Sequence, residues 1–271
     1  MSGIERIAAA FAASGKRAAL MPYLMGGFPD LATSLAIGEA YADGGADVVE
    51  LGVPFSDPLA DGPVIHAAGV RALRNGVTVE QILELGAALA PRMPVVLMAY
   101  ANIVYARGFE PFCAALRAHE ISGLIVPDLP LEEAPELRAV CDGQGLALVP
   151  LVAPTTPPER LERIGALARG FLYAVSLVGT TGERGALDAG LADFLARGAA
   201  VSDVPVAVGF GIGTPQQAAA AVDAGGAGVI VGSRLVRAAG EAQDPAADVR
   251  EIVAAMADAL AAGAPSAEPI S

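Results

Sequence analysis

Residues 46–63 read ADVVELGVPFSDPLADGP, an apolar run that ends in a loop crowded with prolines, glycines and carboxylates. Residues 46–52 are almost continuously hydrophobic rather than alternating, which is how a strand covered on both faces of a parallel sheet reads. Seven other runs share this character: 18–25, 94–100, 123–128, 146–153, 170–177, 204–210 and 227–233. Ala- and Leu-rich segments of helical length separate them. Two helix starts are explicit. Thr156-Pro157-Pro158-Glu159 reads as Thr at the N-cap, Pro at the first helical position and Glu at N3, and Thr214-Pro215-Gln216-Gln217 repeats the pattern with Gln. Eight strand-then-helix units with right-handed crossovers close most naturally into a (β/α)8 TIM barrel, an α/β fold. An open doubly wound sheet is the alternative. No shift of composition marks a boundary, so residues 1–271 are expected to form a single domain. Residues 1–15 are expected to form an extra N-terminal helix covering one end of the fold, and residues 263–271 a frayed tail.

Composition narrows the function. A net charge of -13 argues against nucleic acid or an anionic membrane as partner, because such binding needs clustered Lys and Arg. The longest charge-free stretch, residues 204–222, carries two prolines and cannot form a membrane span. Two cysteines, Cys113 and Cys141, supply neither a disulfide framework nor a metal spacing, which fits a cytoplasmic protein. Lys16, the only lysine, precedes the first strand, so no strand carries a Schiff-base lysine. His66 and His119 lack metal-ligand neighbours, and no metal is expected. His66 reads as a residue of the helix after the loop, and His119 as a solvated helix end. Carboxylates and tyrosines are left for acid-base work.

In a barrel the strand-to-loop junctions share one face, where active sites lie. The polar residues at those junctions are Glu50, Tyr100, Asn102, Asp128, Tyr173, Ser176 and Ser233. Glu50, the last charged residue of an apolar strand, would be partly desolvated, which raises a carboxyl pKa toward the useful range. The plainer possibility is a strand-end Glu bridged to an Arg. Asp61 is equally an N-cap for the helix that follows or a catalytic carboxylate. Gly209-Phe210-Gly211-Ile212-Gly213 and Gly232-Ser233-Arg234 follow the seventh and eighth runs, where barrels bind phosphate through backbone N–H groups and a helix N-terminus. Residues 178–185, VGTTGERG, suit a lid that closes on ligand, or a plain flexible loop.

The chain resembles the tryptophan synthase alpha family. ELGVPFSDPLADGP (50–63) is similar to that family's signature almost without change. GLIVPDLP (123–130), LVAPTT (151–156), VGTTG (178–182), GFGI (209–212) and VGSRLV (231–236) continue the likeness in order along the chain. The resemblance implies a carbon-carbon lyase that cleaves indole-3-glycerol phosphate to indole and glyceraldehyde 3-phosphate for tryptophan biosynthesis. It implies Glu50 as general acid-base residue, Asp61 as the carboxylate facing the indole nitrogen, and Tyr173 beside the reacting centre. Gly182, Gly211, Gly232 and Ser233 match phosphate binders, Thr181 a lid residue meeting Asp61, and Tyr100 the pocket wall. Family members work in an α2β2 heterotetramer, so a beta subunit is the implied partner, met by Pro54, Phe55 and Asp57. Pyridoxal phosphate is implied only in that partner, with no cofactor in this chain. The first strand departs from the family pattern at Met25-Gly26-Gly27-Phe28-Pro29, as do His66 and Ile103. A free-standing lyase that releases indole, and a weakly catalytic chain that activates a beta subunit, are the competing readings.

Overall fold

The computed structural model of the chain describes residues 1–175, 190–209 and 211–262. Its strands are β1 (Ala19–Met25), β2 (Val49–Gly52), β3 (Val95–Met98), β4 (Gly123–Ile125), β5 (Ala147–Val149), β6 (Leu151–Val152), β7 (Leu172–Val175), β8 (Val206–Gly209) and β9 (Gly228–Val231). The helices are α1 (Gly3–Ala13), α2 (Leu31–Asp43), α3 (Pro63–Arg74), α4 (Val79–Leu89), α5 (Ala101–Arg107) and α6 (Phe109–Ala118). They continue with α7 (Ala134–Gln144), α8 (Pro158–Leu167), α9 (Leu191–Ala200), α10 (Pro215–Asp223), α11 (Ser233–Glu241) and α12 (Pro245–Ala261).

All strand pairs are parallel, in the order β5-β4-β3-β2-β1-β9-β8-β7-β6. The fifth apolar run supplies both ends of that order. It is cut at Pro150, which has no N–H to give to a ladder. The half before the cut pairs with β4 and the half after it with β7, while Pro150 O accepts from Tyr173 N at 3.0 Å. The chain itself thus bridges the ends, and the sheet is the TIM barrel that eight runs predicted.

Alternation along each strand separates two cores. Leu20, Leu51, Leu97, Leu124, Val208 and Val229 face outward and pack under the helices. Ala19, Met21, Val48, Val96, Ile125, Val149, Phe171, Ala207 and Ile230 fill the interior. α1 plugs the N-terminal end of that interior. Ser2 and Glu5 form a capping box, Ile7 is wholly buried, and the Phe11 ring lies 6.0 Å from that of Phe171. Burying one Ile is worth about 1.5–3 kcal/mol, so a short helix can be held there mainly by one anchoring face.

Of the two expected helix starts, Thr214 caps α10 with Gln217 as its reciprocal partner. The other shifts by one residue. Pro157 is the N-cap of α8, and Thr156 Oγ1 instead accepts from Ala153 N at 3.0 Å, closing the turn after β6. A Thr two residues before a second proline can serve either the turn or the helix, and here the turn takes it. The tail beyond residue 262 lies outside the described residues.

Candidate active site

Glu50 lies on β2 in register with Tyr23 of β1 and Val96 of β3. Val48 and Val96 face the interior, so Glu50, two residues after Val48, points into the barrel mouth. It is 0% exposed, the one buried carboxylate among the described residues, and neither of its oxygens has a hydrogen-bond partner. Burial pushes its carboxyl up to about 8. The Arg-bridged alternative is thereby rejected. An unpaired buried carboxyl is costly, and proteins keep such groups at functional sites.

Asp61 approaches the same centre from the β2–α3 loop. It is half-buried and accepts from Tyr100 Oη at 3.0 Å, while Ala60 N donates to the same phenol oxygen at 3.1 Å. Burial raises the Asp61 carboxyl, opposed by the Tyr100 hydrogen bond and by the His66 ring on exposed α3 surface. The capping alternative fails, because Gly62 is the N-cap of α3 and no side chain bonds there. Tyr100 in turn precedes α5, whose first N–H, at Ala101, is taken by Asp128 Oδ1 at 2.8 Å. Asp128 therefore braces the Tyr100 backbone, and Asn102 is exposed on α5.

Tyr173 on β7 is almost wholly covered, and its phenol is pushed well up by burial and then by the charge of Glu50. Its ring lies across Gly209 of β8, where a Cβ would stand 2.5 Å from the ring. The sequence reading missed a counterpart, Tyr23. Its phenol is pushed up by burial first, then by Asp61, Glu50, Tyr100 and Tyr173 in turn. A Cβ at Gly52 would stand 2.0 Å from Tyr23 Oη, so the ring crosses that glycine. Tyr23 is the only polar side chain in the first apolar run. A search of strand interiors as well as strand ends would have found it.

Beyond β1 from Glu50, after β8 and β9, Gly211 adopts φ +70, Gly232 is the N-cap of α11, and Ser233 opens that helix. Both segments leave the C-terminal ends of their strands, as the loop that carries Asp61 does. Gly213 N is already committed to Gln217 Oε1 at 2.8 Å. Ser176, Phe210 and the expected lid at 178–185, including Thr181 and Gly182, lie outside the described residues.

The loop after β2 divides in two. Phe55 stacks on Tyr100 with centroids 5.1 Å apart, and Asp57 is exposed, accepting from Ser56 Oγ. Of the expected partner-contact residues, Pro54 is buried within this chain and follows Val53, whose N donates to Met98 O at 2.8 Å. The exposed part begins at Ser56 and includes Leu59, 87% exposed. Lys16 stands at the other end of the barrel, paired with Asp47 at 2.9 Å. His119 ends α6, half-buried, with Nδ1 2.8 Å from Ala115 O. No group of three His, Cys, Asp or Glu side chains among the described residues is placed to hold a metal.

Comparison with known proteins agrees with this geometry. A family model described as tryptophan synthase alpha chain matches residues 10–270. The tryptophan synthase alpha chain of Prochlorococcus marinus is 47% identical over 223 residues, 82% of this chain and 81% of that one. That of Methanosarcina mazei is 46% identical over 229 residues, 84% of each chain. Among solved structures, a Mycobacterium tuberculosis tryptophan synthase chain superposes with a TM-score of 0.88 at 38% identity, covering 94% of this chain and 98% of that one. A chain of the Pyrococcus furiosus tryptophan synthase a2b2 complex gives 0.83 at 36% identity, covering 89% and 97%. With its signature loop, barrel and carboxylate-lined mouth, the chain belongs to the tryptophan synthase alpha chain family.

Proposed function

We propose that Glu50 and Asp61 divide the cleavage of indole-3-glycerol phosphate to indole and glyceraldehyde 3-phosphate between them. The observation that carries this is Glu50, buried without a partner and with its carboxyl pushed up to about 8. A carboxyl in that range is protonated at neutral pH, so it can give a proton to indole C3. The ring nitrogen then becomes iminium-like, and Asp61, held by Tyr100, stabilises that charge. As carboxylate, Glu50 takes the proton of the glycerol hydroxyl. The O–H electrons form the aldehyde, the carbon-carbon bond breaks, and its electrons restore the indole. The ring is its own electron sink, so the step asks for no lysine and no cofactor in this chain. Tyr173 and Tyr23 wall the reacting centre and exclude water.

Gly211, Gly232 and Ser233, with Gly182, take the phosphate, and Thr181 meets Asp61. In a chain of net charge -13, backbone N–H groups and the α11 N-terminus hold the anion without drawing on surface cations. The exposed β2–α3 loop, with Phe55 and Asp57, faces a beta subunit in an α2β2 assembly, and pyridoxal phosphate belongs to that partner. A single-domain cytoplasmic enzyme fits, and no helix among the described residues is long and apolar enough to cross a membrane.

Indole release from indole-3-glycerol phosphate, followed with and without a cognate beta subunit, tests the whole proposal. Activity that rises strongly with the partner supports it. Full activity alone makes the chain a free-standing lyase, and no cleavage in either condition reduces it to an activator.

A further inference from the structure

The two cysteines, 28 residues apart in sequence, meet in space. Cys113 of α6 and Cys141 of α7 are both 0% exposed, with their sulfurs 3.6 Å apart. Neither lies in the carboxylate site. α7 is lightly held: Leu137 and Cys141 are its only buried residues. Its other flank borders a cavity of about 200 Å³, between Ala134, Pro135 and Arg138 on α7 and Arg160, Ile164 and Leu167 on α8. A helix with few anchors and empty space beside it opens locally at low cost, and such opening admits a small oxidant.

We propose that Cys113 and Cys141 form an oxidation site, at which a hydroperoxide joins them in a disulfide that clamps α7 to α6. Either sulfur could donate in this contact, and its effect lowers the Cys113 thiol and raises the Cys141 thiol, which favours Cys113 as the thiolate. Cys113 thiolate attacks the peroxide oxygen, breaking the O–O bond and giving a sulfenic acid and, after protonation, water. Cys141 sulfur then attacks the sulfenic sulfur, its proton leaves with the hydroxyl as a second water, and the S–S bond forms. Two thiols are oxidised by two electrons and one peroxide is reduced. The sulfurs must close from 3.6 Å to about 2.05 Å, a movement within reach of side-chain rotation and a small shift of α7.

The test uses the full chain, reduced and then treated with a few equivalents of hydrogen peroxide. On denaturation the count of titratable thiols is expected to fall from two to none, with a mass loss of two hydrogens and a Cys113–Cys141 peptide in a non-reducing digest. Cross-linking a loop of this length is expected to raise Tm by roughly 5–10 °C, reversed by dithiothreitol. Cys141→Ser is expected to trap sulfenic acid at Cys113 with dimedone and to show no rise in Tm. Oxygen-adding masses without a link, disulfides between chains, or a link that leaves Tm unchanged or lower would each overturn the proposal. Because the reversal by dithiothreitol is read on the unaltered chain, a misfolded Ser variant does not remove the test.

Discussion

Asp47 and Glu50 are three residues apart on one apolar run, yet the barrel treats them in opposite ways. Asp47, at the N-terminal end, accepts from Leu20 N at 2.7 Å and from Lys16 Nζ at 2.9 Å. Glu50, at the mouth, accepts from nothing. Burial raises both carboxyls, but only Asp47 has hydrogen bonds and a cation that pull the other way. The same residue chemistry therefore stabilises the fold at one end and is held ready for proton transfer at the other. This matches the general division of barrels into a stabilising and a catalytic face.

The comparison breaks most sharply at Glu50. Glu50→Gln is expected to lower kcat by about 10² to 10⁴, since a positioned proton-transfer group contributes that much. Steady-state indole release from folded variant checks it, and a wild-type kcat would remove Glu50 from the chemistry. Asp61→Asn is expected to cost about 10² to 10³, the usual loss for one preorganised electrostatic contact, read in the same assay. Asp47→Asn should do the reverse. It leaves Lys16 unpaired and mostly buried, so urea unfolding should show a loss of about 2–4 kcal/mol with kcat/KM unchanged.

Glu50→Gln sharpens the comparison a second time, in stability. The folded carboxyl sits at about 8 against an ordinary value of 4.5, so the unfolded chain releases this proton first. Stability from this group is complete below pH 4.5 and declines as pH rises toward 8. At pH 7 the Gln variant is expected to be more stable than the parent by about 1–3 kcal/mol, with the gain vanishing toward the acid end of that window. Urea midpoints across the window check the sign, and a Gln variant less stable at pH 7 would show that the buried carboxyl is paired after all. The smallest effect is expected at Tyr100→Phe. Losing the phenol donor removes the influence that holds the Asp61 carboxyl down while leaving the stack on Phe55. kcat/KM should drop about tenfold, and the acid limb of its pH profile should move to higher pH.

Much of the site was legible because barrel topology converts sequence position into location. Once the runs are strands, Gly211, Gly232 and Ser233 fall just past the C-terminal ends of β8 and β9, and Glu50 is the one charged residue within β2. Tyr23 escaped because it lies inside its run, and only a packed interior shows that Gly52 leaves room for its ring. The burial of Pro54 was hidden for a related reason. A proline in a polar loop reads as exposed until the neighbouring strand covers it. Thr156 had two possible bonds of similar worth, and local sequence cannot rank them.

By itself the sequence determined the strand-helix alternation, the absence of a lysine for Schiff-base chemistry and the family signature, because these depend on residue type and spacing along the chain. Only the tertiary structure decided that Glu50 has no partner, that Asp61 bonds Tyr100 rather than capping α3, and that Cys113 meets Cys141. Each of these depends on which side chains are brought together from distant strands and helices. Burial and pairing are properties of that packing, and they set the proton affinity on which the chemistry turns.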